Sequence, residues 1–429
     1  MPTVAIVGMG YVGLTLASLL AMRGYRVHGV EKNLRVVRAL NQLKAHLVEP
    51  GVEDAIARCI GKNWTVATKH TFSPEVVIVC VSTPVNESGR ADLRNLQEAV
   101  IALEPVLPDK ALIIIRSTVP VGTTRRVVLP LLRRRRLSLA FCPERTIQGQ
   151  ALRELVELPQ VIGGLDTESR MSAEAFFSPF AKHLMSVSSL EAAEMVKLVN
   201  NCHTDVIYSF GNEVALMARE YQLDPLEVID AANFDYPRPN LAKPGFVGGA
   251  CLTKDPYILC SSFNKKRCEP KLILAARGLN ERMPHNVAKH LIESIKRTGK
   301  KIHGAKVLVC GFAYKGVPET DDMRGAPVIP FLKTLKPSGM RLFGHDYVVP
   351  DYVIAGLGVR PTPLTDGVEG VDAIVFLNNH KRYEELDVDA LLQRAAKPVI
   401  IYDCWRIFRR NPAMSNYNVI YAGIGFNAA

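Results

Sequence analysis

The sequence has no apolar run long enough to cross a bilayer, so no membrane-spanning helix is expected. No secretory leader is expected either. Met1-Pro2-Thr3 runs straight into the apolar stretch Val4–Val7, with neither a basic segment nor a cleavage site. Its nine cysteines form no CxxC pair and no disulfide-like framework, which predicts a reducing, cytoplasmic setting. Acidic charge is in short supply: 42 Asp and Glu face 53 Lys and Arg, for a formal charge of +11. Part of that excess sits in Arg125, Arg126 and the run Arg133–Arg136. No aromatic residue interleaves this run, as stacking on single strands would require, so no nucleic-acid partner is expected. A solvated helix end accounts for the run. A positive field favouring an anionic small substrate stays open beside it.

What is present is ordinary globular composition, 48% hydrophobic and 22% charged, over 429 residues. That length exceeds one compact core and predicts two or three domains. Apolar runs at Val4–Val7, Tyr25–Val30, Val76–Val81, Leu112–Ile115, Leu137–Phe141 and Val161–Gly163 alternate with helical patterns. Such alternation predicts a parallel, doubly wound sheet. The character changes near Leu190. Glu191–Leu223 and Lys271–Arg297 read as helices, separated by the Pro/Gly-rich segment Asp235–Pro256. Strand-like runs return at Lys306–Cys310, Met340–Phe343, Ala373–Leu377 and Val399–Tyr402. The expected class is α/β: two Rossmann-like domains, 1–188 and 299–429, joined by a helical middle at 189–298.

Two segments carry chemistry. In Gly8-x-Gly10-x-x-Gly13, between a strand and a helix, the first glycine allows a tight turn. The second admits a pyrophosphate to the backbone, and the third lets helix and strand pack closely. Tyr11 and Val12 lie in this loop, and a helical pattern follows from Leu14 to Arg23, its free N-terminal N–H groups facing the phosphates. Glu31, ending the next strand, would accept from a ribose hydroxyl and repel the extra phosphate of NADP, so NAD is the expected cofactor. Lys32 beside it weakens that exclusion slightly. The second segment is Phe246–Pro256. Gly248-Gly249-Ala250 leaves Cys251 accessible, and Lys254 and Asp255 follow within a turn. A nearby ammonium favours the nucleophilic thiolate. The other eight cysteines read as small buried hydrophobes, and no ligand spacing for a metal is present.

Together these segments resemble the UDP-glucose/UDP-N-acetylmannosamine dehydrogenase family, collinearly from Val4 to about Arg406. Cys80-Val81-Ser82-Thr83-Pro84 resembles its loop beside the nicotinamide ribose. Ser117–Thr124 matches its STVPVGT motif and Pro143-Glu144-Arg145 its PE[FR] segment. Glu194–Asn201 matches the central helix and Gly248–Asp255 the cysteine motif. Gly311–Lys315 with Thr320–Arg324 matches the C-terminal nucleotide-binding segment.

The resemblance implies a homodimer built on a long helix, a UDP-sugar substrate, and a two-step oxidation of its C6 alcohol to a carboxylate. Lys197 and Asn201, four apart on one helical face, would manage the alcohol proton and the developing alkoxide. Cys251 would hold the aldehyde level as a thiohemiacetal and then a thioester. Asp255, Glu144 and Thr118 would orient the hydrolytic water. Ser82, Thr83, Thr118 and Arg324 are implied at NAD. Glu144, Arg145, Thr146, Lys197, Asn201, Tyr236, Gly248, Tyr314, Lys315 and Arg406 are implied at the sugar nucleotide, with Arg238 reaching a substrate on the neighbouring subunit. Met195, Val196, Leu198 and Val199 are expected to bury the helix around Lys197, so that a lysine there needs a reason.

The chain departs from the family pattern at Ala250 before the nucleophile, at Gly325-Ala326 after Arg324, and at Glu31 where Asp is commoner. Arg145, Leu158-Pro159-Gln160 and Asp255-Pro256-Tyr257 resemble the N-acetylhexosamine branch, whereas Lys254 resembles the UDP-glucose branch. The expected substrate is a UDP-N-acetylhexosamine, with UDP-glucose the alternative. A β-hydroxyacid dehydrogenase would leave Cys251 and the third domain unexplained. A catalytically idle sugar-nucleotide binder would be expected to lack Lys197, Asn201 or Cys251.

Overall fold

The computed structural model describes residues 2–69, 73–86, 88–132, 136–237, 240–264, 268–415 and 418–427. The chain divides into two compact units. One is Met1–Asn201 with Lys254–Glu269, and the other is Cys202–Thr253 with Pro270–Ala429.

The first unit is built on an eight-stranded sheet: β1 (Thr3–Val7), β2 (Arg26–Val30), β3 (Trp64–Ala67), β4 (Val76–Val79), β5 (Leu112–Ile115), β6 (Ser138–Phe141), β7 (Gln160–Gly164) and β8 (Leu184–Val187). Its order is β3-β2-β1-β4-β5-β6-β7-β8, parallel except where β6 meets β7. The order reverses between β1 and β4, the crevice where such folds take their ligand. The sequence pattern explains the sheet. Val4 and Ile6 point into one apolar cluster, Ala5 and Val7 into another, and β4 divides Val76 and Ile78 from Val77 and Val79 in the same way. Both faces are covered, so these strands read as continuous apolar runs. Each fully buried valine or isoleucine contributes about 1.5–3 kcal/mol relative to exposure.

The second unit repeats the plan with β9 (Lys306–Cys310), β10 (Arg341–His345), β11 (Arg360–Pro361), β12 (Ala373–Phe376), β13 (Val399–Asp403), β14 (Val419–Gly423) and β15 (Phe426–Asn427). The order is β11-β10-β9-β12-β13-β14-β15, with only β15 antiparallel. Two helices set the remaining architecture, Leu190–Glu220 and Lys271–Arg297. Both lie within a few residues of the expected spans. Inside the first, Leu198 and Lys197 are buried, but Met195 and Val199 are 40% and 42% exposed. Of the four apolar residues expected to make the helix mostly buried around Lys197, Met195 and Val199 therefore do not contribute. Neighbours along a helix turn about 100° apart, so one buried stripe cannot hold them all.

Candidate active site

The cofactor loop follows β1. Gly8 has φ +93°, and a Cβ there would stand 2.7 Å from the Cys80 carbonyl oxygen. At Gly13 a Cβ would meet the Gly8 carbonyl oxygen at 1.9 Å, so only glycine lets the helix Tyr11–Met22 pack this closely. Gly10 has nothing within 4 Å of that position, leaving its backbone open to a passing pyrophosphate. No side chain caps the helix, so its first N–H groups can receive phosphate. The Glu31 carboxylate accepts from Met9 N and Asn33 N, both at 2.9 Å, which places it against the loop. Lys32 is engaged elsewhere, with Asn95 at 2.6 Å and Glu98 at 3.6 Å. Tyr11 donates to buried Glu49 at 2.7 Å, and Glu49 also accepts from Gly149 N and Ala151 N. The residues present fit NAD.

Two strand-end loops adjoin it. Thr83, buried after β4, donates to the Thr118 carbonyl at 2.5 Å, and Asn95 holds Ser82 through its carbonyl and hydroxyl. The loop carrying Thr118 is anchored from the long helix. Glu194, 1% exposed, accepts from Gly122 N, from Thr124 N at 2.8 Å and from the Thr124 hydroxyl at 2.6 Å. Burial pushes its carboxyl upward while these donors pull it back.

One turn further along, Lys197 is 7% exposed, with its Nζ 3.8 Å from Glu144 Oε2. Asn201 donates to Asp255 Oδ2 at 2.5 Å, and Lys254 stands 3.0 Å from Asp255 Oδ1. Lys197 and Asn201, four apart on the helix, thus each meet a carboxylate, the lysine Glu144 and the asparagine Asp255. Glu144 also accepts from Thr146 N. Arg145 donates to the Pro159 carbonyl, and its burial lowers its pKa. The Thr146 hydroxyl oxygen is buried with no hydrogen-bond partner among the described residues. Behind β5, buried Arg116 binds the Cys142 carbonyl and Gln160.

Cys251, in the second unit, is exposed; of the other eight cysteines, all expected to be buried, Cys59, Cys80, Cys142, Cys202, Cys310 and Cys404 are, but Cys260 is half-buried and Cys268 exposed, which corrects the expectation for those two. Burial pushes the Cys80 and Cys142 thiols up to about 12, so they stay protonated at neutral pH. Gly249, at φ +92°, lies against the Tyr314 ring, and a Cβ there would come within 2.8 Å of it. Arg324 forks onto Asp322 at 2.6 to 3.1 Å. The charge of Cys251 acts on both Tyr314 and Arg324, so these groups form one electrostatic cluster. Lys254, the ammonium that the sequence offered beside Cys251, has Asp255 as its partner, as Arg324 has Asp322.

Comparison with known proteins decides the family. Residues 2–181 match the NAD binding domain of the UDP-glucose/GDP-mannose dehydrogenase family, 191–282 its central domain and 308–410 its UDP binding domain. The chain belongs to this family. It is 34% identical over 433 residues to the UDP-N-acetyl-D-mannosamine dehydrogenase of Methanocaldococcus jannaschii, covering 99% of this chain and 97% of that one. The solved UDP-D-ManNAc dehydrogenase of Pyrococcus horikoshii superposes with a TM-score of 0.87 at 32% identity, over 99% of both chains. A UDP-glucose dehydrogenase from Pyrobaculum islandicum gives 0.85 at 26% identity, over 99% and 98%.

As a member of the UDP-glucose/GDP-mannose dehydrogenase family the chain is an NAD-dependent oxidoreductase with two Rossmann-type sheets. No helix among its described residues is long and apolar enough to cross a membrane. Of the remaining expected site residues, Gly248 packs against Gly325: a Cβ on Gly248 would stand 2.6 Å from the Gly325 carbonyl oxygen. The Lys315 ammonium lies 5.5 Å from the Tyr314 ring centre, and Tyr236 is half exposed. Arg238 lies outside the described residues. Arg406 has its guanidinium on Asp224, at 3.0 and 3.1 Å, and 3.9 Å from the Phe426 ring centre.

Sequence reasoning gave no role to Glu49, Glu194, Arg277 or Asp346. Glu194 stood in a quoted motif but looked like one more helix acid. Asp346 had a legible signal, an acid ending the second strand of its sheet, as Glu31 does in the first. Its carboxylate accepts from Phe312 N, Ala313 N, Val348 N and Val349 N, so this Rossmann loop is closed on itself.

Proposed function

We propose that the chain oxidises the C6 alcohol of a UDP-N-acetylhexosamine to the carboxylate, in two steps. The observation that carries this reading is the buried Lys197–Glu144 pair, with Asn201–Asp255 one helical turn away. In this reading residues 1–188 hold NAD, 189–298 supply the central helices and 299–429 bind the UDP moiety. Gly8–Gly13, Glu31, Ser82 and Thr83 would hold NAD, which would supply the hydride acceptor for both oxidations. Lys197 handles the alcohol proton, handing one of its own to Glu144 as it takes the alcohol's, and with Asn201 donates to the developing alkoxide. The Cys251 thiolate adds to the aldehyde carbon, and the oxygen takes a proton. Loss of the second hydride and that proton leaves a thioester. Water, deprotonated by Asp255 and oriented by Glu144 and Thr118, displaces the thiol and releases the carboxylate.

The N-acetyl group is supported by Arg145 and by the whole-length likeness to a dehydrogenase named for UDP-N-acetyl-D-mannosamine. A dimer is supported by the apolar residues that the long helix leaves exposed, and a cytoplasmic setting by nine cysteines without a disulfide.

The test is a panel of UDP-sugars with NAD, counting NADH formed per sugar. Two per N-acetylated sugar, with the second lost in Cys251→Ala, is expected. Preference for UDP-glucose would move the substrate to the other branch, and one NADH per sugar with an unaffected Cys251→Ala variant would sink the two-step reading.

A further inference from the structure

The segment that carries Cys251 is gripped from beneath by a buried polar network. Arg277, 1% exposed on the helix Lys271–Arg297, donates through Nη1 to the Leu252 carbonyl at 3.0 Å and through Nη2 to the Val247 carbonyl at 3.3 Å. Those carbonyls lie on either side of Gly248-Gly249-Ala250-Cys251. The charge of Arg277 is balanced by Asp205, 2.8 Å from Nη1 and fully buried. Asn280, one helical turn on, donates to both the carbonyl and the carboxylate of Asp205 at 2.9 Å. Its own carbonyl accepts from Asn212, which holds the backbone of Gly245 at both N–H and carbonyl, each at 2.9 Å. Four side chains from two helices therefore fix the segment at Gly245, Val247 and Leu252.

We infer that Arg277 is a positioning residue for the second oxidation, holding the Cys251 thiol where it can add to the aldehyde. The inference rests on the reading of Cys251 as the nucleophile. Two glycines make this stretch floppy by themselves, since glycine has the most backbone freedom to lose. A desolvated arginine and aspartate cost stability unless both find partners, so a bare core of this shape would be easier to build from apolar residues. What the pair supplies is a fork that reaches two carbonyls about a reactive residue at once. A lysine can replace the charge but not the planar fork. Asp205, Asn280 and Asn212 extend the hold to the start of the segment, and Arg277 alone touches both of its flanks.

The experiment uses the full chain and its Arg277→Lys and Asn212→Ser variants. Single-turnover kinetics with NAD and a UDP-sugar that the natural chain oxidises separate the two hydride steps. In Arg277→Lys the first phase is expected to stay within about threefold and the second to slow by about thirtyfold or more. Amide exchange of 246–252 is expected to quicken about tenfold while the β1 and β9 amides stay unchanged. Equal slowing of both phases, or unchanged exchange in this segment, would overturn the inference. If Arg277→Lys does not fold, Asn212→Ser decides by the same two readouts. Fast exchange of 246–252 in the natural chain would overturn the inference without any variant. Failure of the underlying reading looks different: Cys251→Ala would then keep its second hydride, whatever Arg277 does.

Discussion

Lys197 is the residue whose surroundings say most about chemistry. A lysine with 9% of its side chain exposed, facing a carboxylate exposed to the same degree at 3.8 Å, gives up hydration that a surface lysine would keep. The flexible ammonium suits proton transfer, which arginine in its place could not perform. Replacing Lys197 with Met fills the same volume and removes the proton carrier. NADH formation is then expected to fall by about a hundredfold or more, with Km for the sugar little changed. A fall below about threefold would return Lys197 to a structural role. Much of this was legible in the sequence, because Lys197 and Asn201 sit four apart beside residues that pack. Glu144 and Asp255 were implied at the same site, but which acid each donor meets was not legible. Glu144 and Asp255 lie far away along the chain, and only folding shows which donor each one meets. Arg406 is the opposite case. Its motif position pointed to substrate, while tertiary contact commits its guanidinium to Asp224, a residue no local pattern links to it.

Strands and helices were easier to read than loops, for a physical reason. A strand buried on both faces must be apolar throughout, so β4, β5 and β9 announce themselves, and 27 helical residues at Lys271–Arg297 repeat their period many times. A loop is held by single long-range bonds, as Glu194 holds Gly122 and Thr124, and those leave no periodic trace. The helix Lys271–Arg297 also carries a titration that can be tested. His290 lies buried on its inner face, bonded through Nδ1 to the Tyr402 hydroxyl at 2.8 Å. Burial, reinforced by Arg219 and Arg297, pushes its pKa down to about 4 from the ordinary 6.5. Between those values the unfolded chain binds a proton that the folded one refuses. His290 therefore favours folding fully above about pH 6.5, and that contribution is lost as the pH falls through about 4. The loss approaches about 3 kcal/mol by order of magnitude. His290→Gln, which keeps a hydrogen-bonding group toward Tyr402, should flatten this part of the stability curve. Denaturant midpoints taken from pH 7 to pH 4 on both proteins check it; parallel curves would assign the acid sensitivity to other groups.

At the scale of the whole molecule, the question is what covers the second part of the long helix. Ile207, Phe210 and Met217 are spaced by three and seven residues, which puts them on one helical face, and Tyr221 follows just past the helix end. They are nevertheless exposed, Phe210 by 49%, Met217 by 54% and Tyr221 by 80%; Leu223 and Val228 are exposed nearby, and Phe234 by 83%. A stripe of this kind exposed to water marks an interaction surface. A second copy of the chain is the occupant that fits the proposed function, because an isologous dimer would cover the stripe on both copies with the same residues. Sedimentation is expected to give twice the chain mass of 47.3 kDa for the natural protein. Phe210→Glu combined with Met217→Glu should give the single mass, since burying two like-charged pairs against their symmetry mates is unfavourable by several kcal/mol. The expected role of Arg238 toward a neighbouring subunit makes the same experiment speak to catalysis. If that arginine completes the neighbour's site, the monomeric double variant loses sugar oxidation while still binding NAD. A monomer with full activity would separate assembly from chemistry and remove Arg238 from the site of the partner.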